Sequence, residues 1–183
     1  MELQTIIDSD ARFILVGCEA VKERDAMSEL WHVLIKYCKI TPIDVFELPI
    51  RGLFVIALQN NLEEALIKIK QVIQDKTYKI NYCKKFTPLE KITTSSIENM
   101  VAIIPPFLEK IPDNVKWRIV IHRRHTSIKR QEIIAKIANH PLAPKGKVDL
   151  ENSDWDIIIE VFGEWLGIGV YPTSPIVSVK DSG

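Results

Sequence analysis

The sequence predicts a mixed α/β (α+β) protein built as two units. Three observations lead there. Short apolar runs rich in β-branched residues alternate with amphipathic stretches at helical spacing along the whole chain. Pro and Gly fall between these segments, where turns need them. Charge is also sorted along the chain. Although 24 Lys/Arg balance 24 Asp/Glu, residues 114–147 carry 9 Lys/Arg against 1 Asp/Glu, and residues 148–183 carry 1 against 7. A chain this dipolar can present a basic face at zero net charge.

The first unit is expected over residues 1–85. Phe13 to Cys18 is an uninterrupted apolar run and reads as a buried strand. Arg24 to Cys38 sets Met27, Leu30, Trp31, Leu34 and Cys38 on one helical face. Ile43 to Leu48 and Leu53 to Leu58 flank Pro49-Ile50-Arg51-Gly52, a four-residue link suited to a hairpin. Leu62, Ala65, Leu66, Ile69, Val72 and Ile73 form a second amphipathic helix, capped by Asn60 or Asn61. Tyr78 to Lys85 returns as a strand. The resulting β-α-β-β-α-β order is the ferredoxin-like arrangement.

The second unit is expected over residues 86–183. Ser95 or Ser96 caps a helix carrying Ile97, Met100, Val101 and Ile104, and Pro105-Pro106 should split it. Trp117 to His122 alternates and is β-branched, hence a strand. Thr126 or Ser127 caps a helix running to about Asn139. Val148 to Leu150 is a short strand. Trp155 to Phe162 and Leu166 to Tyr171 are strands joined by a tight turn at Gly163-Glu164.

Several chemistries find no support in the sequence. The opening Met1-Glu2-Leu3-Gln4 has no basic n-region before an apolar core, so no secretory signal is expected. No apolar run approaches the roughly 20 residues that span a bilayer, so no membrane partner is expected. Three cysteines, Cys18, Cys38 and Cys83, lie at wide spacings that fit reduced thiols in a cytoplasmic protein. No phosphate-binding loop, no nucleophile elbow and no zinc-spaced Cys pair is present, so no cofactor and no metal are expected. The glycines of Gly163-Glu164-Trp165-Leu166-Gly167-Ile168-Gly169 belong to a hairpin, because no helix follows them.

The strongest local feature is His122-Arg123-Arg124-His125-Thr126-Ser127-Ile128-Lys129-Arg130, where a strand gives way to a helix. Unpaired amides and the dipole at a helix start favour an anion there, and Arg chelates phosphate bidentately. Lys116 and Arg118 sit on the entering strand, and Lys145 and Lys147 extend the track. The ordinary alternative is a solvated basic surface, weakened because Glu132 is the only acid between residues 114 and 147. Metal binding by His122 and His125 is disfavoured, since adjacent arginines repel a cation. Asp154, Asp156 and Glu160 read as the outward face of a strand, or as partners for the basic segment.

The run Trp117 to His125, the helix with Ile133-Ile134-Ala135, then Lys147 to Leu150, Ile157 to Phe162 and Gly167 to Val170 together resemble a THUMP domain. The version is similar to the THUMP adaptor of tRNA cytidine acetylation, over roughly Tyr82 to Pro172. The resemblance implies tRNA binding behind an N-terminal ferredoxin-like domain and delivery of tRNA to a separate enzyme. The chain ends at Gly183 with no catalytic domain after it, which fits a non-catalytic, stand-alone adaptor for a tRNA acetyltransferase that forms N4-acetylcytidine. The alternatives are an enzyme acting on RNA or nucleotides, and an accessory subunit of tRNA thiolation or methylation. The expected RNA-binding residues are Lys116, Arg118, His122, Arg123, Arg124, His125, Ser127, Lys129, Arg130, Lys145 and Lys147.

Overall fold

A computed structural model describes residues 2–172 and 175–182. In the first half, apolar runs become strands and helical stripes pack over them. The elements are β1 (Arg12–Cys18), α1 (Glu23–Val33), β2 (Asp44–Glu47), β3 (Leu53–Leu58), α2 (Leu62–Gln74) and β4 (Cys83–Leu89). The sheet order is β2-β3-β1-β4, and every pairing is antiparallel. This is the expected ferredoxin-like unit. All six residues of β3 are buried, as suits a strand flanked on both edges. α1 buries Ala26, Leu30 and Val33, and α2 buries Ala65, Ile69 and Val72, the i, i+3, i+4 pattern of a one-sided helix. α1 runs into a wider π-type turn over Leu34–Cys38, closed by Lys39 at φ 57°. Asn61 is the cap position of α2, though its side chain makes no capping bond.

One first-unit element differs from expectation. The strand expected over Tyr78 to Lys85 starts at Cys83 and runs on to Leu89. The reason lies 52 residues upstream. The buried carboxylate of Glu29 accepts the backbone N–H groups of Asn81, Tyr82 and Cys83 at 2.7, 3.0 and 3.0 Å. The donors of Asn81 and Tyr82, just ahead of the strand, are satisfied by a side chain and need no β partner.

The second unit contains β5 (Lys91–Thr94), α3 (Ile97–Ile103), α4 (Pro105–Leu108), β6 (Trp117–Arg124), α5 (Arg130–Ala138), β7 (Trp155–Phe162) and β8 (Trp165–Pro172). Its sheet order is β5-β8-β7-β6. β6 and β7 are parallel, with α5 in the crossover between them, whereas β7 and β8 form an antiparallel hairpin. Gly163 opens the two-residue hairpin loop at φ 64°, a conformation that favours glycine. Ser96 caps α3 by accepting the Asn99 N–H at 3.0 Å. The helical run ends at Ile103, and Pro105-Pro106 start a separate short turn, as the missing donors require.

The core of this unit lies on one face of its sheet. Trp117 and Ile121 of β6 and Ile157, Ile159 and Val161 of β7 meet Leu166, Ile168 and Val170 of β8 under the helices. Ile133 and Ile137 of α5 are fully buried there, one helical turn apart. Each contributes about 1.5–3 kcal/mol of hydrophobic stabilisation.

Two expectations for this unit need correction. The strand over Val148 to Leu150 reduces to a single bridge between Val148 and Trp117. The helix expected from Thr126 or Ser127 begins at Arg130, with Lys129 at the cap position. Thr126 spends its hydroxyl on the turn instead, accepting the Ile128 N–H at 3.1 Å.

Past the second sheet, β9 (Val177–Ser178) pairs antiparallel with Lys85 and Phe86 of β4, and α6 (Val179–Ser182) follows. The chain thus divides into Met1–Leu89 with Ile176–Gly183, and Glu90–Pro175. This differs from the expected 1–85 and 86–183 at both ends of the second unit, because β4 runs past residue 85 and β9 extends the first sheet.

Candidate nucleic-acid interface

β6 is the edge strand of its sheet and carries four of the expected residues, Arg118, His122, Arg123 and Arg124. Its pleat sends alternate side chains to opposite faces. Trp117, Ile119 and Ile121 go to the core, and Arg118 and His122 go to the other face. Parallel register sets Arg118 beside Asp156 and His122 beside Glu160. Arg118 donates Nε and Nη2 to the two Asp156 oxygens at 2.8 and 3.0 Å, and Nη1 to the Leu150 carbonyl at 2.9 Å. Ser153 Oγ donates to the same carboxylate at 2.6 Å. The bidentate Asp156 contact holds the Arg118 guanidinium above its ordinary pKa. His122 Nδ1 lies 2.7 Å from Glu160 Oε1. Asp156 and Glu160 are only 2% and 3% exposed. They are partners of the basic strand, and the outward-face reading is overturned.

Lys116 is also engaged. Its ammonium lies 3.8 Å from Asp149, and its amide donates to Asp154 at 2.9 Å. Asp149 is held below the usual carboxylate range, first by the Asn152 and Glu151 amides and then by Lys116 and Lys147. Lys145 and Lys147 are exposed on the segment that joins the start of β6, where Lys147 O accepts the Trp117 N–H at 3.0 Å. That segment is pinned by Trp117 Nε1, which donates to Gly146 O at 2.9 Å. Any side chain at Gly146 would run into the backbone of Val115.

The remaining cations gather at the far end of β6. Arg123, Arg124, His125, Ser127, Lys129 and Arg130 are all exposed. Arg123 Nη1 donates to Ile128 O at 2.9 Å, and Arg130 Nη1 donates to Ile121 O at 3.2 Å. These two bonds fold the 125–129 loop against the strand end, and His125 takes φ 52° to make the turn. Each guanidinium keeps most of its five donors free. The start of α5 is less of an anion site than Ser127 at a helix cap implied, because Glu132 Oε1 accepts the Lys129 amide at 3.3 Å.

Two groups of expected residues are thus separated. From Trp117 to Arg124 the strand rises roughly 23 Å. Lys116, Lys145 and Lys147 sit at one end, and Arg123 to Arg130 at the other. Arg118 and His122, between them, are committed to buried carboxylates. Sequence reasoning did not fix this pairing, yet a signal was present. Arg118 and His122 are four residues apart, and so are Asp156 and Glu160, the spacing that two parallel strands bring into register.

Comparison with known proteins places this geometry. Residues 95–171 match the THUMP domain family model. The chain is similar to PH1313 from Pyrococcus horikoshii, with 17% identity and a TM-score of 0.67, over 91% of this chain and 55% of that one. It is similar to a 4-thiouridine synthetase solved with RNA and bound ATP, with 15% identity and a TM-score of 0.53, over 91% and 42%. TrmN from Thermus thermophilus matches with 14% identity and a TM-score of 0.52, over 87% and 45%. At such identities these likenesses describe the fold, and the chain spans about half the length of the solved proteins it matches. No curated protein matches the chain. The match over residues 95–171 falls on the second unit, from α3 to β8, and this part of the chain is similar to a THUMP domain.

Proposed function

We propose that the protein is a non-catalytic, cytoplasmic tRNA-binding adaptor that presents tRNA to a modifying enzyme. The observation that carries this reading is the exposed cluster Arg123, Arg124, His125, Lys129 and Arg130 at the end of β6 in a THUMP domain. Its chemistry suits phosphates, which position an RNA without reading its bases. The fold it shares with an RNA-bound 4-thiouridine synthetase supports the same reading. The enzyme we assign is an acetyltransferase that forms N4-acetylcytidine, on the resemblance of the β6 to β8 motifs to the adaptor of that reaction. Holding tRNA beside such an enzyme raises the local substrate concentration, so a modest affinity brings a large gain in modification.

Reconstitution tests this directly. tRNA, acetyl-CoA, ATP and the acetyltransferase are incubated with and without this chain. Acetylcytidine should form only, or far faster, when it is present. Equal product without it contradicts the adaptor reading. A second reading takes His122 and Glu160, 2.7 Å apart, as an acid–base pair in an RNA-directed enzyme. It requires this chain alone to alter tRNA and His122→Gln to abolish that activity. Thiolation or methylation partners are the remaining arms of the same assay.

A further inference from the structure

The first unit carries an aromatic and basic surface that the proposed tRNA grip does not use. The rings of His32, Tyr37 and Tyr78 pack together with centroids 5.4 to 5.8 Å apart. Lys36 Nζ stands 5.4 Å from the centre of the Tyr37 ring. Tyr78 also lines a groove of about 410 Å³ with Ile73, Lys76, Lys79, Ile80 and Val179. Ile73, Ile80 and Val179 supply apolar surface, Tyr78 supplies a ring, and the two exposed lysines supply charge. Among the described residues no acid lines the groove, and residues 76–85 hold four lysines and no Asp or Glu. The segment is held in place from beneath, because Glu29 takes the amides of Asn81, Tyr82 and Cys83. The loop therefore keeps its shape without a ligand.

We propose that this groove takes an unpaired nucleotide, its base against Tyr78 and the isoleucines and its phosphate on Lys76 and Lys79. The chemistry is that of a sequence-tolerant single-strand site, in which an aromatic face accepts any base and cations follow the backbone. The volume lies within the range of small-ligand sites. Lys36 beside Tyr37 continues the positive charge away from the groove. The inference rests on the chain being an RNA-binding protein, and it adds a second contact of a different kind, reading single strand through stacking.

The test uses the whole chain with two probes, adenosine 5′-monophosphate and hexauridylate, followed by NMR of the Ile73, Ile80 and Val179 methyls and the Tyr78 ring. Both probes should shift these groups saturably, hexauridylate at lower concentration. Lys79→Glu, at an exposed position that leaves folding intact, should weaken binding about tenfold. Tyr78→Ala should do the same or more, and Tyr78→Phe should stay within about twofold, because the ring and not the hydroxyl stacks. Arg123→Glu with Arg124→Glu should leave these shifts unchanged while it removes binding of folded tRNA. Absence of shifts with both probes overturns the proposal, as do shifts that Lys79→Glu leaves as they were. Groove binding without any tRNA binding would sink the adaptor reading and leave the groove standing.

Discussion

Arg118 and Arg123 lie five residues apart on one strand, and their surroundings give them opposite tasks. Arg118 projects onto a face where Asp156 is buried beside it, and its Nε, Nη1 and Nη2 all donate to protein oxygens. Arg123 projects at the strand end, spends one donor on Ile128 O, and keeps the rest for solvent or an anion. Charge alone does not make a binding residue. A guanidinium fixed to a buried carboxylate secures the sheet, and the same group five residues along the strand is left exposed.

The largest expected effect on stability comes from breaking the buried pair. Arg118→Ala leaves Asp156 buried without its cation and should destabilise the second unit by about 3 kcal/mol, at the low end for buried pairs because the Arg118 side chain is 25% exposed. Urea unfolding measures this. Replacing both partners together, Arg118→Met with Asp156→Leu, should recover most of the loss, since the uncompensated charge is gone. A double variant as unstable as the single one would mean that Asp156 acts through Ser153 and not through Arg118.

The largest expected effect on affinity comes from the opposite experiment. Arg123→Ala with Arg124→Ala should cost about 1–3 kcal/mol of tRNA affinity per residue. Stability should change by less than about 0.5 kcal/mol, as for other exposed positions. A gel shift and a urea titration on the same preparation decide it. If stability falls as far as affinity, the cluster is structural and the contrast with Arg118 collapses.

Buried thiols extend the contrast to pH. Burial pushes Cys18 and Cys38 up to about 11, from an ordinary value of 9.0. The raised folded-state pKa favours the protonated thiol in the native protein. Its stabilisation is complete below about pH 9 and is lost as pH rises through about 11. Urea midpoints should hold from neutrality to pH 9 and then decline. Cys18→Ala with Cys38→Ala should lessen that decline, with buried Cys83, also pushed up, keeping its own share, and should leave tRNA affinity at neutral pH unchanged.

The smallest effect is expected at the other end of β6. Lys145→Ala with Lys147→Ala should lower the salt slope of tRNA binding by less than about 2, because Asp149 already offsets part of that charge. A loss equal to that of Arg123→Ala with Arg124→Ala would join the two ends into one track.

The fold was legible wherever local pattern decided it. Leu53 to Leu58 and Trp155 to Phe162 are strands because their apolar composition admits little else. The errors lie where a distant side chain intervened. Tyr78 to Tyr82 looks like strand, but Glu29 reaches across from α1 to take the amides of Asn81, Tyr82 and Cys83, and the strand starts only at Cys83. Thr126 and Ser127 look like helix caps, but Thr126 closes a local turn and delays α5 to Arg130. The basic segment was legible in composition and overcounted in availability. Two of its members face carboxylates that lie 38 residues later in the chain. Only the register of β6 against β7 shows which cations are spent.

In the function proposed, the exposed cluster at the end of β6 holds RNA phosphates while the strand face beside it holds the fold. The most direct measurement is the affinity for folded tRNA across a salt series, for the wild type and for Arg123→Glu with Arg124→Glu, with urea unfolding of both. With about four phosphate contacts, the wild type should show log K falling against log salt with a slope near −3 to −4. The variant should lose tRNA binding and keep the wild-type unfolding midpoint. A salt-insensitive wild type, or a variant that binds tRNA as the wild type does, would contradict the account.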